Sequence, residues 1–229
     1  MDKIFTKNIE HESAVKHVTG KAIYTDDISE PKNLLHAVIG YSNCSKGVIK
    51  KIDYKDVLSS EGVVDIITEK DIEGINDVGP IFKGDKIFTS KNIEYYGQPI
   101  FAVIAKTNNL AKKAALKVKI DLKISKPIVS IEEALKKKSF VLKPKHLTRG
   151  NIKDGFKKSD NILKGKLYSG GQDHFYLEGQ IAMTIPQEDN NFLVYSSTQH
   201  PSETQQIIGK VLKQNYNSIH VIVRRIGGG

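Results

Sequence analysis

Residues 100–105, Ile100-Phe101-Ala102-Val103-Ile104-Ala105, form the strongest apolar run in the first half of the chain. A run with no polar position has no face to offer water, so it predicts a central strand covered on both sides. Tyr96-Gly97-Gln98-Pro99 leads into it as turn chemistry. Thr107 or Asn108 can cap a helix over 109–116, and residues 118–122 return as a strand. This strand, helix and strand look like the frame of an α/β domain. Upstream, apolar runs at 34–41 and 48–52 flank Asn43-Cys44-Ser45-Lys46-Gly47 and predict a hairpin. A short helix over 53–60 with Asp53 as its cap, a β-branched strand over 63–68, a loop over 71–80 and a weak strand over 86–88 complete this half. Residues 1–16 are polar. The short extended run that follows ends on Asp26 and Asp27, adjacent carboxylates that suit a turn or cap better than a cation site.

Composition changes at Lys126-Pro127. A short amphipathic helix over 131–138 precedes an extended, Lys- and Pro-containing segment over 141–150, where a domain boundary is expected. Beyond it we expect a helix over 151–158 with Phe156 facing inward, then a strand over 161–168. A hairpin over 181–185 and 191–196 follows. Pro201 sits at a first helical position, and Ile207, Ile208, Val211 and Leu212 form one apolar stripe. A last strand over 218–226 runs into the closing glycines. The expected organisation is an arm at 1–14, a first domain at 15–125, a linker at 126–150 and a second domain at 151–229, all of mixed α/β (α+β) class.

The 229 residues carry a formal net charge of +9, which raises the question of nucleic acid. Lys plus Arg exceed Asp plus Glu by 23 to 19 before residue 142 and by 12 to 7 after it, only three of the basic residues are Arg, and Trp is absent. An excess so evenly spread reads as a solvated lysine-rich surface, with no nucleic-acid partner expected. No apolar run approaches the roughly 18 residues that cross a membrane, so no membrane partner is expected. The N-terminus lacks the apolar segment of a secretory signal, and the single cysteine, Cys44, excludes an internal disulfide framework; cytoplasm is the expected compartment. The chain lacks a phosphate loop, a dinucleotide-binding glycine turn, a His-Glu-x-x-His helix and a nucleophile elbow.

The densest concentration of chemistry is Gly170-Gly171-Gln172-Asp173-His174-Phe175-Tyr176-Leu177-Glu178-Gly179-Gln180. Paired glycines permit unusual backbone angles or close approach of a ligand, and the Gln172 amide offers a donor and an acceptor without charge. That combination suits either a neutral cofactor contact or a tight turn leading into a half-buried strand. His174 and Glu178 would share a face only on a helix, which the glycines oppose, so they read as structural polar groups and not metal ligands. His200, ahead of Pro201, reads as a helix cap.

Five stretches in series carry a resemblance. They are His17-Val18-Thr19-Gly20 with Tyr24 and Asp26-Asp27; Tyr96-Gly97-Gln98-Pro99; Gly170 through Glu178; Ser197-Thr198-Gln199-His200-Pro201; and Arg225-Ile226-Gly227-Gly228-Gly229. In order and spacing they resemble the molybdopterin-binding subunit of the xanthine dehydrogenase and aldehyde oxidase family. The form of the Gly170 to Glu178 stretch is closer to the xanthine dehydrogenases than to the other branches. The resemblance implies an α/β hammerhead domain followed by the start of a molybdenum-cofactor domain. It also implies hydroxylation of a purine such as xanthine or hypoxanthine, in purine catabolism, with electrons passed to 2Fe-2S and FAD groups on partner subunits or domains. By the same resemblance Gln172 hydrogen-bonds an oxo ligand of molybdenum, and Gly228 and Gly229 belong to a glycine loop that approaches the cofactor. The family's catalytic base and substrate clamps have no counterpart here, so no catalytic residue is assigned. The chain is expected to be inactive by itself and to need the remainder of its subunit. The other reading is a non-catalytic interaction module or a decayed remnant of such a subunit.

Overall fold

In the computed structural model, which describes residues 10–228, residues up to Ser125 join those from His174 onward in one compact unit, and Lys126–Asp173 form another. The first unit opens with a short helix, α1 (Ala14–Val18), and a tight turn at Thr25–Asp27. The helix replaces the start of the expected extended run. Of the two carboxylates expected to serve a turn, Asp27 does so, its side chain accepting the Tyr24 N–H at 2.9 Å.

Three sheets follow among the described residues. Strand β1 (His36–Tyr41), β5 (Pro99–Ala105) and β3 (Val63–Ile67) form an antiparallel sheet with β5 in the middle. The apolar run thus takes the central place its composition demands. Ile100, Phe101, Val103 and Ala105 are essentially inaccessible to water. Helix α3 (Asn108–Ala115) covers this sheet with Ala111 and Ala114, and Thr107 caps it by accepting the Leu110 N–H at 3.3 Å. The second sheet is β4 (Asn92–Ile93), β2 (Gly47–Asp53) and β6 (Lys119–Ile124), again antiparallel. A four-residue helix, α2 (Lys55–Leu58), follows β2, with Asp53 accepting the Lys55 N–H at 3.0 Å.

The expected hairpin does not form: β1 and β2 find their ladder partners far along the sequence, and β5 and β6 likewise lie in different sheets. The expected strand at 86–88 is irregular; its neighbour β4 pairs instead, while Asn76 binds the Phe88 backbone through both ends of its amide.

The third sheet is β7 (Ala182–Pro186), β8 (Phe192–Ser196) and β9 (Ile219–Ile222). β7 and β8 form the expected hairpin, and β8 runs parallel to β9 through the crossover helix α6 (Pro201–Leu212). Pro201 occupies the first helical position. The half-buried Ile207, Ile208 and Val211 carry the stripe, and Leu212 at its end is exposed. Parallel neighbours need such a crossover. The helix's last turn is held by the 71–80 loop, where the Gly74 N–H donates to the Val211 carbonyl at 2.8 Å and the Ile75 N–H to Lys210 at 3.1 Å. These two bonds satisfy carbonyls that a helix end leaves open. β9 is shorter than the expected 218–226 strand, and residues beyond 222 continue without a ladder.

In the second unit, α4 (Ile131–Lys137) is capped by Ser130 and α5 (Ile152–Lys158) by Asn151. Residues 161–168 are exposed and irregular instead of a strand, and Phe156 is 56% exposed instead of facing inward. Among the described residues no strand pairs with 161–168, so its β-like composition has no ladder to join.

Candidate functional site

Of the five chemistry-bearing stretches, Tyr96-Gly97-Gln98-Pro99 is architectural. Gln98 is 4% exposed, its side-chain carbonyl accepts the Glu94 N–H at 2.8 Å, and its backbone exchanges bonds with Ser42. A buried amide whose oxygen is so paired anchors the entrance to β5. Ser197 is also structural: its hydroxyl accepts the Ile181 N–H at 3.0 Å, and its own N–H donates to the Ile181 carbonyl, which extends the β7–β8 hairpin at its open end. His200 occupies the cap position of α6, but its side chain caps nothing. Thr198 accepts the His200 N–H at 3.1 Å and pairs with the Thr204 hydroxyl at 3.2 Å, a role its sequence position did not announce.

The remaining three stretches divide between the two units. Gly170, Gly171 and Gln172 lie in the unit Lys126–Asp173, in an exposed irregular segment. A Cβ placed on Gly170 or Gly171 would meet nothing within 4 Å. These glycines are not required by packing, and the Gln172 amide lies in open surroundings. The half-buried strand expected after them is absent, and Phe175 takes a positive φ of 52° while 90% exposed.

In the other unit, segments distant in sequence converge on Glu178. Its carboxylate accepts the Thr25 N–H through Oε1 at 2.8 Å and the Gly227 N–H through Oε2 at 2.9 Å. The Leu177 N–H donates back to the Gly227 carbonyl at 3.3 Å. Arg225 completes the junction: its guanidinium donates to the Ile23 carbonyl and, at 3.4 Å, to the Ser13 hydroxyl, and its Nε is buried without a partner. Tyr24 contacts the His17 ring nitrogen at 3.3 Å. His174 and Glu178 share no helix, as expected, and Glu178 finds backbone amides where the sequence left its partner unassigned.

Gly227 and Gly228 are required by this packing. A Cβ on Gly227 would fall 2.3 Å from the Glu178 Cβ, and one on Gly228, whose φ is +143°, would fall 2.3 Å from the Tyr176 Cβ. Gly229 lies outside the described residues. Beside the junction a cleft of about 350 Å³ is lined by Ile23, Tyr24, Thr25, Tyr195, Arg224 and Arg225. Among the described residues no group of His, Cys, Asp or Glu is placed to hold a metal ion directly, and no helix is long and apolar enough to cross a membrane.

Comparison with known proteins divides the chain differently from the two compact units. Residues 19–126 match the a/b hammerhead domain of aldehyde oxidase and xanthine dehydrogenase, and residues 133–229 match the molybdopterin cofactor-binding domain. Xanthine dehydrogenase of Dictyostelium discoideum is 38% identical over 224 residues, 98% of this chain and 16% of that protein. Aldehyde oxidase 1 of Bos taurus is also 38% identical, over 96% of this chain and 17% of that protein. Among solved structures, the aldehyde oxidoreductase of Desulfovibrio gigas superposes with a TM-score of 0.82 at 25% identity, covering 95% of this chain and 26% of that one. A hammerhead fold joined to a molybdopterin-binding segment defines part of a molybdenum-containing hydroxylase. The chain belongs to the xanthine dehydrogenase and aldehyde oxidase family and corresponds to an N-terminal portion of its molybdenum-binding subunit. It spans about one sixth of the length of these curated relatives.

Proposed function

We propose that this chain serves a xanthine dehydrogenase, as part of the molybdenum subunit that hydroxylates purines such as xanthine or hypoxanthine in the cytoplasm. Identity is 38% to both a xanthine dehydrogenase and an aldehyde oxidase, so support for this branch comes from the Gly170 to Glu178 stretch, whose form favours it. On this reading residues 15–125 are the hammerhead domain, 126–150 a linker and 151–229 the beginning of the cofactor domain. The complete enzyme includes the rest of the subunit and partners carrying 2Fe-2S and FAD.

The residues present fit a molybdopterin group in kind. Gln172 brings an uncharged amide on open backbone, and no packing demand occupies Gly170 or Gly171. Gln172, Gly228 and Gly229 would hold the group, which supplies two-electron redox chemistry when bound. In the overall reaction a purine carbon exchanges hydrogen for a hydroxyl whose oxygen comes from water, releasing two electrons and two protons; the electrons pass to iron–sulfur and flavin partners. This chain's part is to orient: Gln172 by hydrogen bonding, the glycines by leaving the backbone free to approach. No residue here is assigned as the base.

The test is substrate choice in the complete enzyme containing this chain. We expect kcat/KM for hypoxanthine to exceed that for an aromatic aldehyde; the reverse order would move the chain to the aldehyde oxidase branch.

A further inference from the structure

The Gly227 backbone is bound by the carboxylate of Glu178, a residue to which the family resemblance assigns no role of its own. We propose that Glu178 is a positioning residue: its two oxygens clip the Gly227 backbone to Thr25 and so set where the glycine loop stands for the cofactor. The inference rests on the molybdenum reading for its purpose, but its geometry is independent of it.

Three observations carry it. Each carboxylate oxygen accepts one backbone N–H, at 2.8 and 2.9 Å, from segments that are remote in sequence from Glu178 and from each other. Such charge-assisted bonds are about twice as strong as neutral ones and are directional, so two of them fix a segment and do not merely attract it. The neighbouring backbone is shaped to the clip: Leu177 donates to the Gly227 carbonyl, and side chains at 227 and 228 would collide with Glu178 and Tyr176. Arg225, two residues before Gly227, is separately anchored to Ile23 and Ser13. The loop is therefore held at two points against one segment, residues 13–25. Among the described residues no other side chain accepts from both Thr25 and Gly227.

Glu178→Ala removes both acceptors. Glu178→Gln keeps the shape and one acceptor oxygen but puts an amide donor against the other N–H. Two measurements are needed. In the chain without cofactor, amide hydrogen exchange at Thr25 and Gly227 should accelerate about tenfold or more in Ala, while amides of β5 keep their protection. Gln should preserve one of the two amides and lose the other, and it serves if Ala does not fold. In the molybdenum-loaded complete enzyme, loss of molybdenum on dilution should quicken in Ala, with Gln between Ala and wild type. Unchanged exchange at both amides, or equal acceleration throughout β5, would overturn the clip. Accelerated local exchange with wild-type retention of molybdenum would overturn its role toward the cofactor. An unmodified complete enzyme that holds no molybdenum would sink the molybdenum reading itself, and exchange would still decide the clip.

Discussion

At the centre of the hammerhead unit Phe101 is fully buried, and its ring occupies the space above Gly40, its cross-strand partner. A Cβ at Gly40 would lie 2.2 Å from the ring's Cζ, so the two residues are one packing decision. Gly40→Ala is expected to cost about 1–3 kcal/mol by overpacking, seen as a lower denaturant midpoint with an unchanged slope. On Phe101's edge Tyr54 packs in a T-shaped contact with ring centroids 5.2 Å apart. Burial, with the Asp71 carboxylate adding to it, pushes the Tyr54 phenol up to about 12 from 10.0. The folded state therefore holds this proton more tightly than the unfolded chain does. The stability tied to it is whole below about pH 10 and is lost as pH rises through about 12. In Tyr54→Phe the fall in stability across that alkaline window should be shallower; an identical pH profile would contradict the assignment.

Elements were legible wherever their signal was local. The apolar run of β5, the Thr107 cap before α3, the β7 and β8 hairpin and Pro201 at the start of α6 all stand where composition and spacing placed them. Thr107→Ala should cost about 1 kcal/mol of stability through loss of the Leu110 N–H acceptor; a thermal midpoint equal to wild type would show that the cap contributes nothing. Pairing was not legible, because a ladder depends on which distant strand arrives alongside. β1 and β2 each carry turn residues between them yet separate into different sheets, and residues 161–168 have the composition of a strand without a partner. The candidate site divides in the same way. The glycines and Gln172 announced themselves by residue type, whereas the Glu178 clip joins residues 153 and 49 positions away in the chain. Arg225's anchorage to Ser13 spans further still.

On the scale of the whole molecule, the segments before 126 and after 173 belong to one compact unit, held by the bonds of Glu178 and Arg225 and by the loop at Gly74 against α6. The exposed lysines of 143–166 offer a lysine-directed protease its readiest sites. Nicking there should leave two large fragments that elute together from a sizing column under native conditions; separate elution would contradict the single unit.

The proposed contact of Gln172 with a molybdenum cofactor is tested most directly by purine turnover of the complete enzyme carrying Gln172→Ala. Gln172 is exposed and makes no demand on folding, so the thermal midpoint should stay at the wild-type value. Turnover per bound molybdenum should fall about 10²–10³-fold, as for loss of one preorganised donor at a reacting centre. Full turnover, or a loss explained wholly by a lower melting temperature, would contradict it.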